Sequence, residues 1–128
     1  MASIDRDRQS RIDVYYMGMA KYVAGASKCS SRQVGAVITK EDAVLCTGRN
    51  GAPRGISLCQ ERSQPCPRRV LGFGSGDGIE HCVAVHAENN AIIQAARNGV
   101  STNGGTMYCW CGRPCVRCVG AIINAGIK

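Results

Sequence analysis

The chain has 128 residues, enough for one domain with a modest core, and its hydrophobic content of 45% is typical of a folded globular protein. No apolar run approaches the roughly 18 residues that a membrane span needs, and the charged N-terminus MASIDRDRQSR lacks the apolar segment of a secretory signal. We therefore expect a cytoplasmic protein without a membrane partner, in which the nine cysteines serve metal binding or catalysis rather than a disulfide framework.

The formal charge is +7, and twelve of the sixteen basic residues are Arg. Arg binds phosphate through two parallel hydrogen bonds, so this charge fits a nucleotide or nucleic-acid ligand. A solvated basic surface explains it equally well. One Phe, one Trp and four Tyr are fewer aromatic residues than a stacking platform for single strands usually has, which favours a small nucleotide and makes nucleic acid an unlikely partner.

The first predicted elements are a helix and a β-hairpin. Apolar residues spaced by three and four predict one helix face, formed by Ile12, Tyr15, Tyr16, Met19, Tyr22 and Val23. Gly25 is the predicted stop of this helix. QVGAVIT, residues 33–39, predicts a buried strand, KED a turn and AVLCTG a second strand.

A long irregular segment follows, from Gly48 to about Cys82, with three prolines and the run GFGSGDG. A structureless loop of this length is uncommon inside a compact domain. We therefore expect something other than secondary structure to hold it in place, and Cys59, Cys66 and Cys82 are the candidates.

The rest of the chain predicts a helix, a strand and a second helix. AVHAENNAIIQAARNG predicts a helix that stops at Gly99, with an apolar stripe at Val85, Ala91, Ile92 and Ala95. GTMYCWC predicts a short strand, and PCVRCVGAIINAGIK a helix with Pro114 near its start and Gly126 at its end. The element order predicts a single α/β domain over residues 1–128, with helices packed on a small mixed sheet.

Two short motifs at the predicted starts of these helices carry the candidate chemistry. His86 and Glu88 belong to HAE, and Cys115 and Cys118 to PCVRC. A helix N-terminus favours thiolate, and two sulfurs with one imidazole leave the fourth position of Zn²⁺ open for water, as in catalytic zinc sites. The combination H-x-E…P-C-x-x-C is typical of zinc nucleobase deaminases.

This motif also indicates a mechanism. Zinc lowers the pKa of its bound water to about 7, and Glu88 lies close enough to take the proton of that water and return it to a ring nitrogen. Attack on the ring carbon that bears the exocyclic amine then releases ammonia. Either motif alone is weak evidence for zinc, because C-x-x-C also occurs in redox pairs and H-A-E occurs by chance. Both motifs together, on predicted helices, favour a catalytic zinc site.

On these residues the chain resembles the deoxycytidylate (dCMP) deaminases of the cytidine-deaminase superfamily. YYMGMAKYVAGASKCSSRQVGAVIT is similar to the family's first helix and strand, TGRNGAPRG to its substrate loop, and HAENNAIIQAARNG and PCVRCVGAIINAGIK to its two zinc helices. The pair Asn90-Ala91 points to this branch of the superfamily. The resemblance implies a three-layer αβα cytidine-deaminase-like fold and hydrolytic deamination of dCMP to dUMP, which feeds thymidylate synthesis.

The resemblance also implies roles for single residues. His86, Cys115 and Cys118 would bind zinc, Glu88 would shuttle protons, and Asn50 would contact the sugar. The 5′-phosphate needs cationic or amide partners, and the candidates are Lys28, Arg32 and Arg54.

Regulation and assembly follow from the same resemblance. Family members are commonly homo-oligomers, often hexamers, and many are activated by dCTP, for which Mg²⁺ is a possible companion, and inhibited by dTTP. Arg97 matches a position near the family's subunit contacts and effector site. A solvated Arg that complements the helix dipole explains the same residue equally well.

Four further cysteines recur where some family members hold a non-catalytic zinc: Cys29, Cys59, Cys66 and Cys82. Four sulfurs would close a tetrahedral structural site and tie the long loop to the start of the first strand. The alternative is four free thiols buried as small hydrophobes. His81 could replace one sulfur, and Cys46 is expected in the core.

Two departures from the family pattern concern the end of the chain. CWCGR stands where the family tends to have a shorter, Thr-containing turn; we expect Cys109 and Cys111 on one face of the strand, as packing or pocket wall, with Trp110 opposite. The family also continues beyond AGIK with at least one more strand. We therefore expect a sheet that lacks the C-terminal strand or strands, with an uncovered third strand unless a partner subunit covers it.

Two other functions remain open at this point. One is deamination of another base, in a nucleic acid or a free nucleoside, against which the few aromatic residues and HAENNA argue. The other is a zinc-stabilised structural or interaction protein with a vestigial site. The altered turn favours that second alternative, whereas Glu88 opposes it, because a purely structural zinc site needs no such carboxylate.

Overall fold

The computed structural model describes residues 2–27, 32–55, 85–111 and 115–128. Its elements are α1 (Ala2–Ala24), β1 (Gly35–Lys40), β2 (Ala43–Arg49), α2 (Ala87–Arg97), β3 (Thr106–Trp110) and α3 (Val116–Asn124). This is the order that the sequence predicts. Several residues of the sequence analysis lie outside the described residues, namely Lys28, Cys29, Cys59, Cys66, His81, Cys82 and Pro114.

The sheet has the strand order β2-β1-β3, and both pairs are antiparallel. The sequence predicts a mixed sheet, but no parallel pair forms among the described strands. The reason is topological: β3 runs in the same direction as β2 but lies on the far side of β1, so the two strands do not pair. Ala36 and Ile38 of the central strand are fully buried.

The β1–β2 hairpin turns through Glu41 and Asp42, whose φ angles are 53° and 56°. Two residues with positive φ give the turn whose twist matches that of the flanking strands. The Tyr16 hydroxyl donates a hydrogen bond to the Asp42 carboxylate over 2.9 Å, which ties the turn to α1. A register shift follows Ile38, so the hairpin also carries a bulge.

The helices cover both faces of the sheet and make three layers. On one face, α1 packs Tyr16 and Ala20 against Val37 and Tyr108 of the sheet. On the other face, α2 and the end of the chain pack against β1 and β2, in a cluster formed by Val34, Ala36, Ile38, Cys46, Ala87, Ala91, Ala95 and Ile127. This arrangement matches the three-layer αβα architecture that the resemblance implies.

Two glycines set the spacing between the helices and the sheet. A Cβ atom on Gly35 would overlap backbone atoms of Ala20 and Ala24, and one on Gly48 would overlap those of Ala87 and Ala91. Alanine on the helix therefore faces glycine on the strand at both contacts. Such close approach brings the start of α2 directly against β2.

The buried face of α1 differs from the predicted one. Tyr16, Ala20 and Ala24 are buried, whereas Tyr15 is 59% and Tyr22 87% exposed. The prediction was wrong for these two tyrosines because the contact with Gly35 selects the small residues Ala20 and Ala24. None of the helices in the described part of the chain is long and apolar enough to cross a membrane.

Helix α2 follows the predicted stripe only in part. Ala91 and Ala95 are buried as predicted, and Ala87 and Glu88 are buried with them. Val85 lies before the helix, in an isolated β-bridge with Gly51. The helix thus begins two residues later than its hydrophobic pattern suggests, which places the intervening residue, His86, at the N-cap.

Candidate active site

The three candidate metal ligands lie at the N-termini of α2 and α3. His86 is the N-cap of α2 and Cys115 the N-cap of α3, both with extended backbone, and Cys118 is fully buried in the first turn of α3. The backbone N–H of Cys118 donates to the Cys115 sulfur over 3.4 Å. Both helix dipoles therefore favour negative charge at the residues that cap them.

The ligand atoms of these residues surround one point. The Nδ1 atom of His86 lies 3.2 Å from Cys118 Sγ and 3.4 Å from Cys115 Sγ, and all three ligand atoms lie within 4.8 Å of one another. Tetrahedral zinc, with bonds of about 2.0–2.3 Å, separates its ligand atoms by about 3.6 Å. The donor set of one imidazole and two thiols therefore fits zinc in both spacing and chemistry.

Glu88 lies beside this group and is 3% exposed. Burial, above all, raises the pKa of the Cys118 thiol, and the Cys115 thiol and the Glu88 carboxylate add to the shift. A coordinating thiol is deprotonated outright, and a divalent cation compensates the negative charge that these buried ligands and Glu88 would then carry. The electrostatics of the site thus also suit a divalent metal.

Cys109 of β3 and Cys111, the residue directly after this strand, lie next to Glu88, outside the group of three ligands. Cys109 and Cys111 pack with the α2-side core, and their sulfurs lie 2.7 Å apart. Trp110 points to the other face, where the Lys21 ammonium lies 5.3 Å from its ring centroid. The predicted alternation is confirmed. Cys46 is a core residue as expected, and its thiol donates to the Ala91 carbonyl over 3.1 Å.

The side chain of Asn50 connects three segments through hydrogen bonds and is 8% exposed. Its Oδ1 atom accepts hydrogen bonds from the Val34 backbone N–H over 3.0 Å and from the Ser27 hydroxyl. Its Nδ2 atom donates to the Arg32 carbonyl over 2.8 Å. The amide thereby joins the end of β2 to the residues after α1 and before β1. Sequence reasoning missed this positioning role, although an Asn directly after a strand is a familiar turn signal.

Asn90 is a second positioning residue that sequence reasoning missed. Its Nδ2 donates to the Arg49 carbonyl over 2.7 Å and to the Val85 carbonyl over 3.3 Å. These bonds hold the residue before His86 against the end of β2. The signal in the sequence is the amide side chain in the first turn of a helix, where backbone carbonyls from the preceding segment lie within reach.

The candidate cationic residues fall in two places. Burial raises the pKa of Cys111, and the positive charge of Arg32 partly opposes that rise. Arg32 therefore lies near the site. Arg54 and Arg97 line a cleft of about 670 Å³ between α1, β2 and α2, together with Arg49. The lining of this cleft contains none of His86, Glu88, Cys115 and Cys118.

Comparison with known proteins gives consistent matches. The family model described as "Cytidine and deoxycytidylate deaminase zinc-binding region" matches residues 10–128. The deoxycytidylate deaminase of Mycobacterium phage D29 is 39% identical over 121 residues, which cover 91% of this chain and 89% of the relative. That of Schizosaccharomyces pombe is also 39% identical, over 117 residues, which cover 91% of this chain but 35% of the relative.

A solved structure supports the fold. The crystal structure of dCMP deaminase from the cyanophage S-TIM5 in complex with dCMP and dUMP superimposes with a TM-score of 0.73 and 29% sequence identity, covering 92% of this chain and 77% of the other. The chain spans about a third of the length of the deoxycytidylate deaminases of Schizosaccharomyces pombe and Saccharomyces cerevisiae, 35% in each case. It spans most of the length of the Mycobacterium phage D29 protein.

Proposed function

We propose that this chain, which belongs to the cytidine and deoxycytidylate deaminase family, catalyses the zinc-dependent hydrolytic deamination of dCMP to dUMP. The observation that carries the proposal is the buried Glu88 carboxylate beside a convergent His86, Cys115 and Cys118. The relatives named deoxycytidylate deaminase and the neighbour solved with dCMP and dUMP support the choice of substrate.

In this proposal His86, Cys115 and Cys118 hold the zinc ion. When bound, zinc supplies a Lewis acid that lowers the pKa of a water molecule in its remaining position to about 7. The N-termini of α2 and α3 favour the thiolate form that metal binding requires. Asn90 orients the backbone that leads to His86 through its bonds to the Arg49 and Val85 carbonyls.

Glu88 carries the protons of the reaction. Its carboxylate accepts a proton from the attacking water and passes it to ring nitrogen N3 of cytosine. It then takes the proton of the new hydroxyl group on C4 and delivers it to the amino group, which leaves as ammonia while C4 becomes a carbonyl. Burial of Glu88 beside the ligands keeps this group within reach of the reacting atoms and excludes bulk water from them.

The nucleotide contacts are assigned by charge and position. Arg32 is the strongest candidate for the 5′-phosphate among the described residues because its charge acts on Cys111, at the edge of the site. Lys28 precedes it by four residues in the chain. Asn50 retains a role in shaping the sugar pocket through the backbone segments that it joins, and Arg54 is the more distant candidate because it lines the separate cleft.

The same cleft supports the proposal of an effector site. Arg49, Arg54 and Arg97 give it a positive lining that suits a nucleoside triphosphate. We assign dCTP, with Mg²⁺, as activator and dTTP as inhibitor, acting on a homo-oligomer such as a hexamer. A structural zinc held by Cys29, Cys59, Cys66 and Cys82, a single domain over residues 1–128 and a cytoplasmic location complete the proposal.

A substrate panel tests the proposed function. Zinc-loaded protein is incubated with dCMP, CMP, deoxycytidine, cytidine, adenosine and a cytosine-containing single-stranded oligonucleotide, with and without dCTP, and the ultraviolet absorbance change is followed. We expect conversion of dCMP at a kcat/KM well above that of every other compound. Preference for a nucleoside or the oligonucleotide would overturn the substrate assignment, and no conversion of any compound would favour the structural-protein alternative.

A further inference from the structure

The C-x-C sequence on β3 is a chemical feature that the deaminase motif does not use. Alternation along the strand puts Cys109 and Cys111 on the same face, and the backbone bends at Cys111, directly after the last strand residue Trp110. This bend brings the two side chains together, because cysteines two apart on a regular strand stand side by side without converging. Their sulfurs lie 2.7 Å apart, about 0.7 Å more than a disulfide bond length.

We propose that Cys109 and Cys111 form a reversible intramolecular disulfide, a redox modification site beside Glu88. The pair is partly exposed, so a small oxidant reaches it, whereas Cys118 is fully buried at the metal position. The pair also stands apart from the catalytic ligands, because the described group of potential metal ligands contains His86, Cys115 and Cys118 only. In a reducing compartment such a disulfide is transient and regulatory rather than structural.

The chemistry balances with a peroxide as oxidant. The Cys111 thiolate attacks one oxygen of hydrogen peroxide, forming a sulfenic acid, and the second oxygen leaves as water once it has taken a proton. The Cys109 thiol then attacks the Cys111 sulfur, the S–S bond forms, and the sulfenic oxygen leaves as a second water. Two thiols lose two electrons and two protons, and one peroxide becomes two water molecules. Burial raises the pKa of the Cys111 thiol, but the hydrogen bond with Cys109 and the charge of Arg32 oppose that rise, whereas every cause that acts on Cys109 raises its pKa. Cys111 is therefore the first of the two to react.

Oxidation would change the surroundings of Glu88. In the reduced protein both thiols lie near the Glu88 carboxylate, whose charge is, after burial, one of the causes that raise their pKa values. A disulfide has no S–H group, so the two uncharged donors beside Glu88 are lost, and the bond also pulls the end of β3 toward Cys109. We therefore infer that oxidation slows the reaction assigned to Glu88; this consequence rests on the proposed function, whereas the disulfide itself does not.

Differential alkylation of the zinc-loaded protein tests the proposal. Reduced protein is desalted and treated with hydrogen peroxide, free thiols are blocked with N-ethylmaleimide under denaturing conditions with a chelator, and the sample is then reduced and labelled with iodoacetamide. Peptides are assigned by fragmentation after combined trypsin and chymotrypsin cleavage, which cuts after Trp110 and so separates Cys109 from Cys111. We expect the iodoacetamide label on these two residues and not on Cys115 or Cys118.

The variants Cys111→Ser and Cys46→Ser complete the design, with dCMP turnover and released zinc measured alongside the labelling. Each protein is compared with its own reduced sample. In the parent and in Cys46→Ser, turnover should fall at least about tenfold, without zinc release, and dithiothreitol should restore it; in Cys111→Ser, treatment should change it little.

Three outcomes would overturn the inference. They are iodoacetamide label on Cys115 and Cys118 in place of the β3 pair, inactivation that parallels zinc release, and free thiols at Cys109 and Cys111 after treatment. A protein that forms the disulfide but never deaminates dCMP, even when reduced, would refute the proposed function and leave the modification site standing.

Discussion

The Nδ1 atom of His86 lies 3.2 Å from the Sγ atom of Cys118, although 32 residues separate them in the chain. Two interactions that do not involve the motif produce this approach. Gly48 lets the start of α2 lie against β2, and the Asn90 side chain holds the segment before His86 to the end of that strand. The ligand geometry is therefore a property of the packed domain, which makes it testable through the packing as well as through the ligands.

Removal of a ligand should remove the metal. Cys118→Ala leaves one thiol and one imidazole, so we expect zinc content to fall from about one catalytic equivalent to near zero, with a lower melting temperature, because metal binding contributes to folding. Metal analysis after dialysis and thermal unfolding measure both. Cys46→Ala is the matched control, since it removes another buried thiol, one that donates to the Ala91 carbonyl and lies outside the group of three ligands. Equal zinc content in the two variants would contradict the ligand assignment.

Adding a methyl group to Gly48 should destabilise the domain. The new Cβ would overlap the backbone of Ala87 and Ala91, so α2 must move away from β2, at a cost of about 1–3 kcal/mol. Because His86 is the N-cap of α2, zinc affinity should fall as well. Gly120→Ala on α3 is the control: its Cβ meets nothing within 4 Å, and Ala is the better helix former by about 1 kcal/mol. Urea unfolding should therefore shift in opposite directions for the two variants.

The hydrogen bond between Tyr108 and Asp13 should make stability depend on pH. The Tyr108 hydroxyl donates to the Asp13 carboxylate over 2.7 Å, and this bond is the main cause that lowers the pKa of Asp13. A lowered carboxyl pKa gives stability that is present above the unfolded value of 3.8 and is lost as pH falls through the folded value. Burial, first, and then Asp13 raise the pKa of Tyr108 to about 12, so its contribution is complete below pH 10 and is lost as pH rises toward 12.

Tyr108→Phe tests this dependence, with Tyr15→Phe as the control because Tyr15 is 59% exposed. Denaturant unfolding from pH 2 to 7 should show a smaller loss of stability on acidification for Tyr108→Phe than for the control. If stability falls equally with pH in the two variants, the hydrogen bond between Tyr108 and Asp13 does not make stability depend on pH.

We expect Asn50 to contribute more to the stability of the domain than to substrate binding. Asn50→Ala leaves the buried Val34 N–H without its acceptor, which costs about 1–3 kcal/mol, whereas the Arg32 carbonyl keeps a hydrogen bond from the Ser27 hydroxyl. Asn124→Ala, at an exposed position at the end of α3, should change the free energy of unfolding by less than about 0.5 kcal/mol. If Asn50→Ala instead unfolds like the parent and changes only the KM for dCMP, direct sugar contact would be its main role.

The sequence predicts the element order and the chemical motif because both depend on local signals. The spacing in HAE and PCVRC places ligands at helix starts, and the hydrophobic pattern finds the described helices and strands within a few residues, except for the start of α1, which lies at Ala2, well before the first residue of the predicted face, Ile12. The exposure of Tyr15 and Tyr22 could not be predicted in this way, since it depends on how closely α1 approaches Gly35. The same holds for the antiparallel sheet, for the burial of the Asn50 amide and for the bend that joins Cys109 to Cys111, all of which depend on contacts distant in sequence or on backbone geometry.

A comparison of Glu88→Gln with the parent protein tests the proposed role of Glu88 as the proton carrier. Gln has nearly the same size but cannot carry the protons, so we expect zinc to remain bound at parental stoichiometry while kcat for dCMP falls by about 10²–10⁴-fold. Asp7→Asn removes a carboxylate from an exposed position on α1 and serves as the control, with parental zinc content and turnover. Turnover in Glu88→Gln equal to that of Asp7→Asn would show that this buried carboxylate does not move the protons of deamination.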